Sequence, residues 1–261
     1  MGNIMSKLRK PIYALTVLAI LALPAWYLYA AYGAIAGWWN SGHGMRVMSG
    51  EQAKYVGYIA VAFGLITLLI SLLPKPRAKF GIILGIFAIA FPLIVENQAT
   101  KYSVARLETA GIHDVSSDRV NPPIYSETIL AQRGTGGRNN PIGDYSTKAT
   151  RQGTLVADIV EEAYPDIKTI TLNEASDGAY DRALSAAKGM GWEIVTTDKA
   201  GGIIEATAST RWYKFKDDVV IRISPNGAQS LVDIRSISRT GGRDFGKNAG
   251  RIRGVMKKLG S

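Results

Sequence analysis

The densest run of chemistry-bearing residues in this 261-residue chain lies near its end, where the sequence from Val232 reads VDIRSISRTGGRDFGKNAGRIR. Arg235, Arg239 and Arg243 stand around Gly241-Gly242 and Asp244, and a helical pattern carrying Arg251 follows. Glycines leading into a helix N-terminus among arginines can hold an anion, because backbone amides and guanidinium groups both donate to it. Arg222, from an earlier strand, is a further candidate for such a site. The opposite reading is structural. Asp244 as N-cap would occupy the free amides and repel a phosphate at the same point. Phe245, Ala249, Ile252, Met256 and Leu259 make an apolar stripe at helical spacing, so the helix docks and its cations can be its solvated face. Both readings stay open on sequence alone.

A second constellation comes from a hairpin. Residues 219–224 and 230–238 alternate like strands around Pro225-Asn226-Gly227-Ala228, and Asn-Gly signals a two-residue turn. A turn at Asn226-Gly227 sets Pro225 opposite Ala228. Val219, Ile221 and Ile223 then share a core face with Ile234, Val232 and Ser230. On the other face Asp218 lies across from Arg235, Val220 across from Asp233, and Arg222 across from Leu231 and diagonal to Asp233. Glu205, from the preceding strand, is nearby. This face is either a structural ion-pair ladder or the wall of a polar ligand site; Glu205, Asp218, Asp233 and Asp244 are its candidate acids.

Catalytic and metal chemistry find little support. The chain has no cysteine, which excludes disulfides, thiolate metal sites and cysteine nucleophiles. His43 and His113 are its two histidines, too far apart in sequence to suggest a His-rich metal site. Asp217 and Asp218 are neighbours on a strand and point to opposite faces, so they form no converged carboxylate pair. No catalytic residue, metal or cofactor is expected, and a hydrolase of envelope material is the remaining enzymatic reading.

The elements that must position these groups divide the chain. Residues 1–97 hold apolar runs at 12–39, 55–73 and 80–95, the first without a single charge. A bilayer core needs about 20 apolar helical residues, so three transmembrane helices are expected. Trp26, Tyr29, Trp38 and Trp39 cluster at one end of the first as candidate membrane-interface contacts. Gly81-xxx-Gly85 and Gly33-xxx-Gly37 permit close helix approach. Residues 98–123 read as a helical tether and extended connector, and 124–153 as a Gly/Asn-rich loop. Residues 154–261 read as an α+β domain, an antiparallel sheet with helices packed on one face.

Thirty-one Lys and Arg against 21 Asp and Glu give a net charge of +10, a value that raises nucleic acid as a partner. The charge is segregated, however. Residues 1–97 carry eight cations and two acids, residues 98–234 fifteen and eighteen, and residues 235–261 eight and one. Lys7, Arg9 and Lys10 precede the first span, and Lys75, Arg77 and Lys79 separate the second from the third. The positive-inside rule then puts the N-terminus in the cytoplasm and everything after the third span on the far side, the periplasm of a bacterial inner membrane. That topology makes nucleic acid an unsuitable partner and membrane lipids an obligatory one.

Asn121-Pro122-Pro123, Tyr164-Pro165-Asp166-Ile167, Met190-Gly191-Trp192, Ile204-Glu205-Ala206-Thr207-Ala208 and residues 215–222 come in order before the run that opened this section. This series resembles the bacterial and plastid family called domain of unknown function 1499, over residues 111–123 and 164–259. The resemblance implies a fold and an envelope or thylakoid setting but no reaction. The resulting expectation is a non-enzymatic accessory or assembly subunit working with other integral membrane proteins. The alternative is a module binding anionic lipid headgroups or envelope glycans.

Overall fold

The computed structural model describes residues 2–73, 75–133, 139–150 and 152–260. Residues 134–138, part of the expected Gly/Asn-rich loop, lie outside the described residues. The chain divides into two compact units, Met1–Ala105 with Trp212–Lys214, and Arg106–Arg211 with Phe215–Ser261.

The first unit is built on three helices, α1 (Gly2–Ile35), α2 (Ala53–Leu72) and α3 (Lys79–Leu107), with a π-helical segment, His43–Gln52, leading into α2. Three stretches, Ser6–Ile35, His43–Leu72 and Lys79–Val104, are long and apolar enough to cross a membrane. Large apolar side chains such as Leu18 and Ile83 are more than 60% exposed, as suits a surface solvated by lipid. Without a hydrophobic drive between helices in lipid, packing falls to small residues and hydroxyls. Tyr13 and Ser71 share a 2.7 Å hydrogen bond, as do Thr16 and Thr67, tying α1 to α2. A Cβ on Gly81 would collide with Tyr13 Oη and Ser71 Oγ, so α3 closes on this pair only through glycine. Gly85 likewise abuts the Gly64 carbonyl and Leu68. The Gly81-xxx-Gly85 seam is therefore spent inside the bundle. Gly33 does something else: it makes room for the Trp39 ring folding back onto α1.

The second unit holds six antiparallel strands: β1 (Asp114–Ser116), β2 (Ile170–Leu172), β3 (Glu193–Asp198), β4 (Ile203–Ser209), β5 (Lys216–Asn226) and β6 (Gln229–Ser238). Their order is β1-β6-β5-β4-β3, with β2 also paired to β6. Helices α5 (Val156–Ala163), α6 (Ser176–Gly189) and α7 (Lys247–Leu259) bury Val160, Tyr180, Ala183, Ala187, Ile252 and Val255 against Val219, Ile221, Val232 and Ile234. This is the expected α+β architecture. The opposite face is also covered, by α4 (Glu127–Arg133), whose Ile129 joins Tyr125, Val220 and Ile237 in a small second core. Helix α4 and strand β1 both fall where the sequence suggests connector and loop.

The hairpin register corrects the sequence expectation. Asn226 pairs with Gln229, so the turn residues are Gly227 and Ala228. Gly227 leads the turn with φ +63° and Ala228 keeps a negative φ, the pattern of a II′ turn and not of an Asn-Gly I′ turn. Every partner therefore moves by two. Asp218 faces Ile237, Val220 faces Arg235, and Arg222 faces Asp233 directly. A shift of two leaves each side chain on its expected face.

Candidate functional site

The polar face of the sheet is the place where ionisable groups converge. Rows across β1, β6, β5 and β4 place Asp114, Asp233, Arg235, Asp218, Arg222, Glu205 and Thr207 on one side. Burial would cost these charges several kcal/mol each without partners. The chain supplies the partners from Arg239, just after β6, and from residues 117–133 and 139–148, which pass over this face.

Asp218 is fully buried at the centre. Arg239 donates to both its oxygens, from Nε at 3.1 and 3.0 Å and from Nη2 at 2.7 Å, while Arg133 of α4 donates from Nη1 at 2.6 Å. The Thr207 hydroxyl adds a bond at 3.0 Å. Arg239 also donates to the Gln132 carbonyl at 3.3 Å, and Arg133 to the Asn140 carbonyl at 2.6 Å. A second cluster forms around Asp114. It takes a bidentate pair from Arg235, at 3.0 and 2.8 Å, and Lys148 Nζ at 2.8 Å. The Arg235 guanidinium lies between the rings of Tyr125 and Tyr145, 5.5 and 5.0 Å from their centroids. Burial pushes the Lys148 ammonium below its usual range, with Asp114 opposing that shift. It pushes the Tyr125 hydroxyl well up, and that hydroxyl donates to the Asp218 and Arg235 carbonyls.

A third cluster joins Arg222 to Asp233 at 2.8 Å and to Asp118 at 3.0 Å, with Thr169 donating to Asp233 at 2.6 Å. Among the described residues, no cation pairs with Glu205. Its carboxylate accepts the Ser126 amide at 2.6 Å and the Ser126 hydroxyl at 2.5 Å, holding the start of α4 against β4. The face is thus a set of charge-assisted contacts between the sheet and the segment that covers it.

The glycine-rich motif is also engaged. Asp244 accepts the amides of Gly246 at 2.9 Å and Asn248 at 2.7 Å, so it caps α7 although the residue preceding the helix is Gly246, in left-handed conformation. Burial raises its carboxyl above the usual range, and those two amides pull the other way. Arg251 of α7 pairs with Asp217 and donates to Asn248 at 3.2 Å. Arg243 donates to the Thr109 carbonyl at 3.2 Å. All five candidate anion-binding arginines, Arg222, Arg235, Arg239, Arg243 and Arg251, therefore have partners from within the chain. Sequence reasoning missed Asp114, Arg133 and Lys148. The signal available was Asp218, Asp233 and Glu205 against Arg222 and Arg235 on the strands' polar face, one acid more than its cations, which asked for a cation from elsewhere.

Of the aromatic candidates, Trp26 donates to the Met48 carbonyl at 2.8 Å and Trp39 to the Ala30 carbonyl at 2.9 Å. Tyr29 and Trp38 meet in a tilted ring contact, Tyr29 also meets Trp39 edge-on, and the two are 45% and 59% exposed. Among the described residues no group of His, Asp and Glu is placed to hold a metal ion.

Fold and site together define an α+β domain, its polar face closed on itself, carried on helices able to span a membrane. The chain belongs to the family described as Protein of unknown function (DUF1499), whose model matches residues 114–259. That range includes 124–163, which the sequence resemblance leaves out. No curated protein matches the chain. Among solved structures, the crystal structure of TTHA0849 from Thermus thermophilus is similar at 11% identity, with 35% of this chain and 93% of that one covered. The TM-score of that likeness is 0.23.

Proposed function

We propose that this protein is a non-enzymatic accessory or assembly subunit of a larger membrane complex, anchored in a bacterial inner membrane with its DUF1499 domain in the periplasm. One observation carries the reading: on the polar face of the sheet, the arginines and the acids that pair with them, which could otherwise bind or transform a ligand, are engaged with one another beneath residues 117–133 and 139–148. A domain whose ionisable groups maintain its own closure acts through its outer surface. The apolar runs at 12–39, 55–73 and 80–95 contain no Asp, Glu, Lys or Arg, which disfavours an ion or proton path. Interaction within the membrane plane is the remaining use for three spans.

Purification from native membranes in a mild detergent tests this, read by native mass spectrometry. Integral membrane companions in fixed stoichiometry are expected. A particle containing this chain alone, under conditions that preserve other complexes of the same membrane, would overturn the proposal.

A further inference from the structure

The aromatics around the end of α1 divide into two sets by what their polar atoms do. Trp26 and Trp39 donate to the Met48 and Ala30 carbonyls, and the Trp39 ring fills the space that Gly33 and Gly44 leave open. These two are structural, tying the segment after α1 back onto the helix. Tyr29, Tyr32 and Trp38 are different. Among the described residues their hydroxyls and ring N–H meet no hydrogen-bond partner, and Tyr32 is 58% exposed, like the other two. The three rings nevertheless hold fixed places. Trp38 meets Tyr32 edge to face, with centroids 5.4 Å apart and planes at 79°, and meets Tyr29 at 5.9 Å and 54°. It also stands against the anchored Trp39, at 5.9 Å and 74°. Planes that cross this steeply make a corner of ring faces.

Helix geometry gives the depth of that corner. The first apolar run opens at Ile12, two residues after Lys10, and Tyr32 stands 32 − 12 = 20 residues further on within α1. At the α-helical rise that is about 30 Å, the thickness of the hydrocarbon core. With α1 spanning, Tyr32 therefore lies at the headgroup boundary. Charge narrows the occupant. Residues 11–45 contain no Asp, Glu, Lys or Arg, whereas anionic headgroups are held by Lys and Arg clusters. The corner offers ring faces, which attract an ammonium, and three donors, which suit phosphate oxygens. A headgroup carrying both, with no net charge left to compensate, matches that inventory.

We infer that Tyr29, Tyr32 and Trp38 form a seat for one zwitterionic phospholipid, its ammonium against the ring corner and its phosphate accepting from the Trp38 N–H and the tyrosine hydroxyls. An interfacial aromatic belt sets depth without choosing among headgroups; this seat chooses. The inference rests on the membrane-spanning reading of α1 and is separate from any partner subunit.

Membranes holding the full chain are first washed with alkaline carbonate. Retention supports the spanning reading on its own, and release would overturn it and the inference with it. The chain is then delipidated in an uncharged detergent and titrated with dioleoyl phosphatidylethanolamine or dioleoyl phosphatidylglycerol, with each bound lipid counted by native mass spectrometry. The first phosphatidylethanolamine should bind about fivefold more tightly than the first phosphatidylglycerol. Trp38→Ala should abolish that preference and leave phosphatidylglycerol binding unchanged. Tyr32→Phe keeps the ring against Trp38 and removes one donor, so it decides the matter should Trp38→Ala lower the thermal midpoint. It should weaken phosphatidylethanolamine binding about twofold and spare phosphatidylglycerol. Equal affinities for the two lipids in the unaltered chain would overturn the inference and leave a plain interfacial belt. Tighter phosphatidylglycerol binding would overturn it in favour of an anionic headgroup site elsewhere. So would a full preference that survives either variant, or a loss shared equally by both lipids.

Discussion

Replacing Asp218 by Asn is the sharpest perturbation of the closed polar face. The carboxylate is fully buried and receives Arg239 on both oxygens, Arg133 on one and the Thr207 hydroxyl. Asn keeps a single acceptor oxygen and turns an NH2 group toward one of the two guanidinium ions. At least one buried cation then loses its counter-charge, a change that costs about 3–5 kcal/mol. With about 1.4 kcal/mol per factor of ten, backbone amides of β4 to β6 should exchange roughly 10²–10⁴ times faster. Hydrogen-exchange mass spectrometry on the full chain in nanodiscs measures this strand by strand. The companion Asp218→Leu, Arg133→Met, Arg239→Met removes all the charges together and should restore most of the protection, because an apolar replacement of a buried ion cluster is often neutral or better. Less than a tenfold change in Asp218→Asn would refute the reasoning. The network would then contribute little to closure, and the face would have to be reconsidered as a ligand site.

Three further outcomes follow from the same structure. Burial, with Lys148 adding to it, lowers the His113 pKa below its usual 6.5. Below about pH 6.5 the unfolded chain takes up a proton that the folded one resists, so stability is retained above that pH and lost as pH falls beneath it; His113→Gln should flatten the difference in thermal midpoint between pH 7.5 and 5.5. Gly81→Val drives a side chain into the Tyr13–Ser71 hydrogen bond and should cost about 1–3 kcal/mol by overpacking, read from detergent-induced unfolding. The proposed topology predicts that Ala228→Cys reacts with an impermeant maleimide on spheroplasts while Lys75→Cys reacts only after lysis; the reverse pattern would invert the orientation.

The alternation of Val219, Ile221 and Ile223 assigned their faces correctly even though the hairpin register was two residues off. Side-chain parity is fixed by burial along the whole strand, whereas register is fixed locally by the turn. At the turn Asn226 extends the ladder and leaves Gly227 to lead. Asp244 as the cap of α7 was legible for a similar reason, since a cap acts within a few residues of itself. The partners of Asp218 and Arg235 were not. Arg133 and Asp114 lie 85 and 121 residues away from them, in segments without periodicity, so no local pattern could connect them. The π-helical segment before α2 likewise has no composition to announce it. It comes with Trp26 and Trp39 bonding to backbone carbonyls across the end of α1.

Strand β6 is the last strand made and also the hub, flanked by β5 on one edge and by both β1 and β2 on the other. Until residues 229–238 leave the ribosome, β1 and β2 have nothing to pair with, and the buried acid at 114 has no Arg235 to meet. Closure of the sheet is therefore post-translational and of high contact order, which makes it slow relative to helix formation. In the proposed topology the domain crosses the bilayer as an extended thread, and late closure then keeps most of it threadable until synthesis is nearly complete.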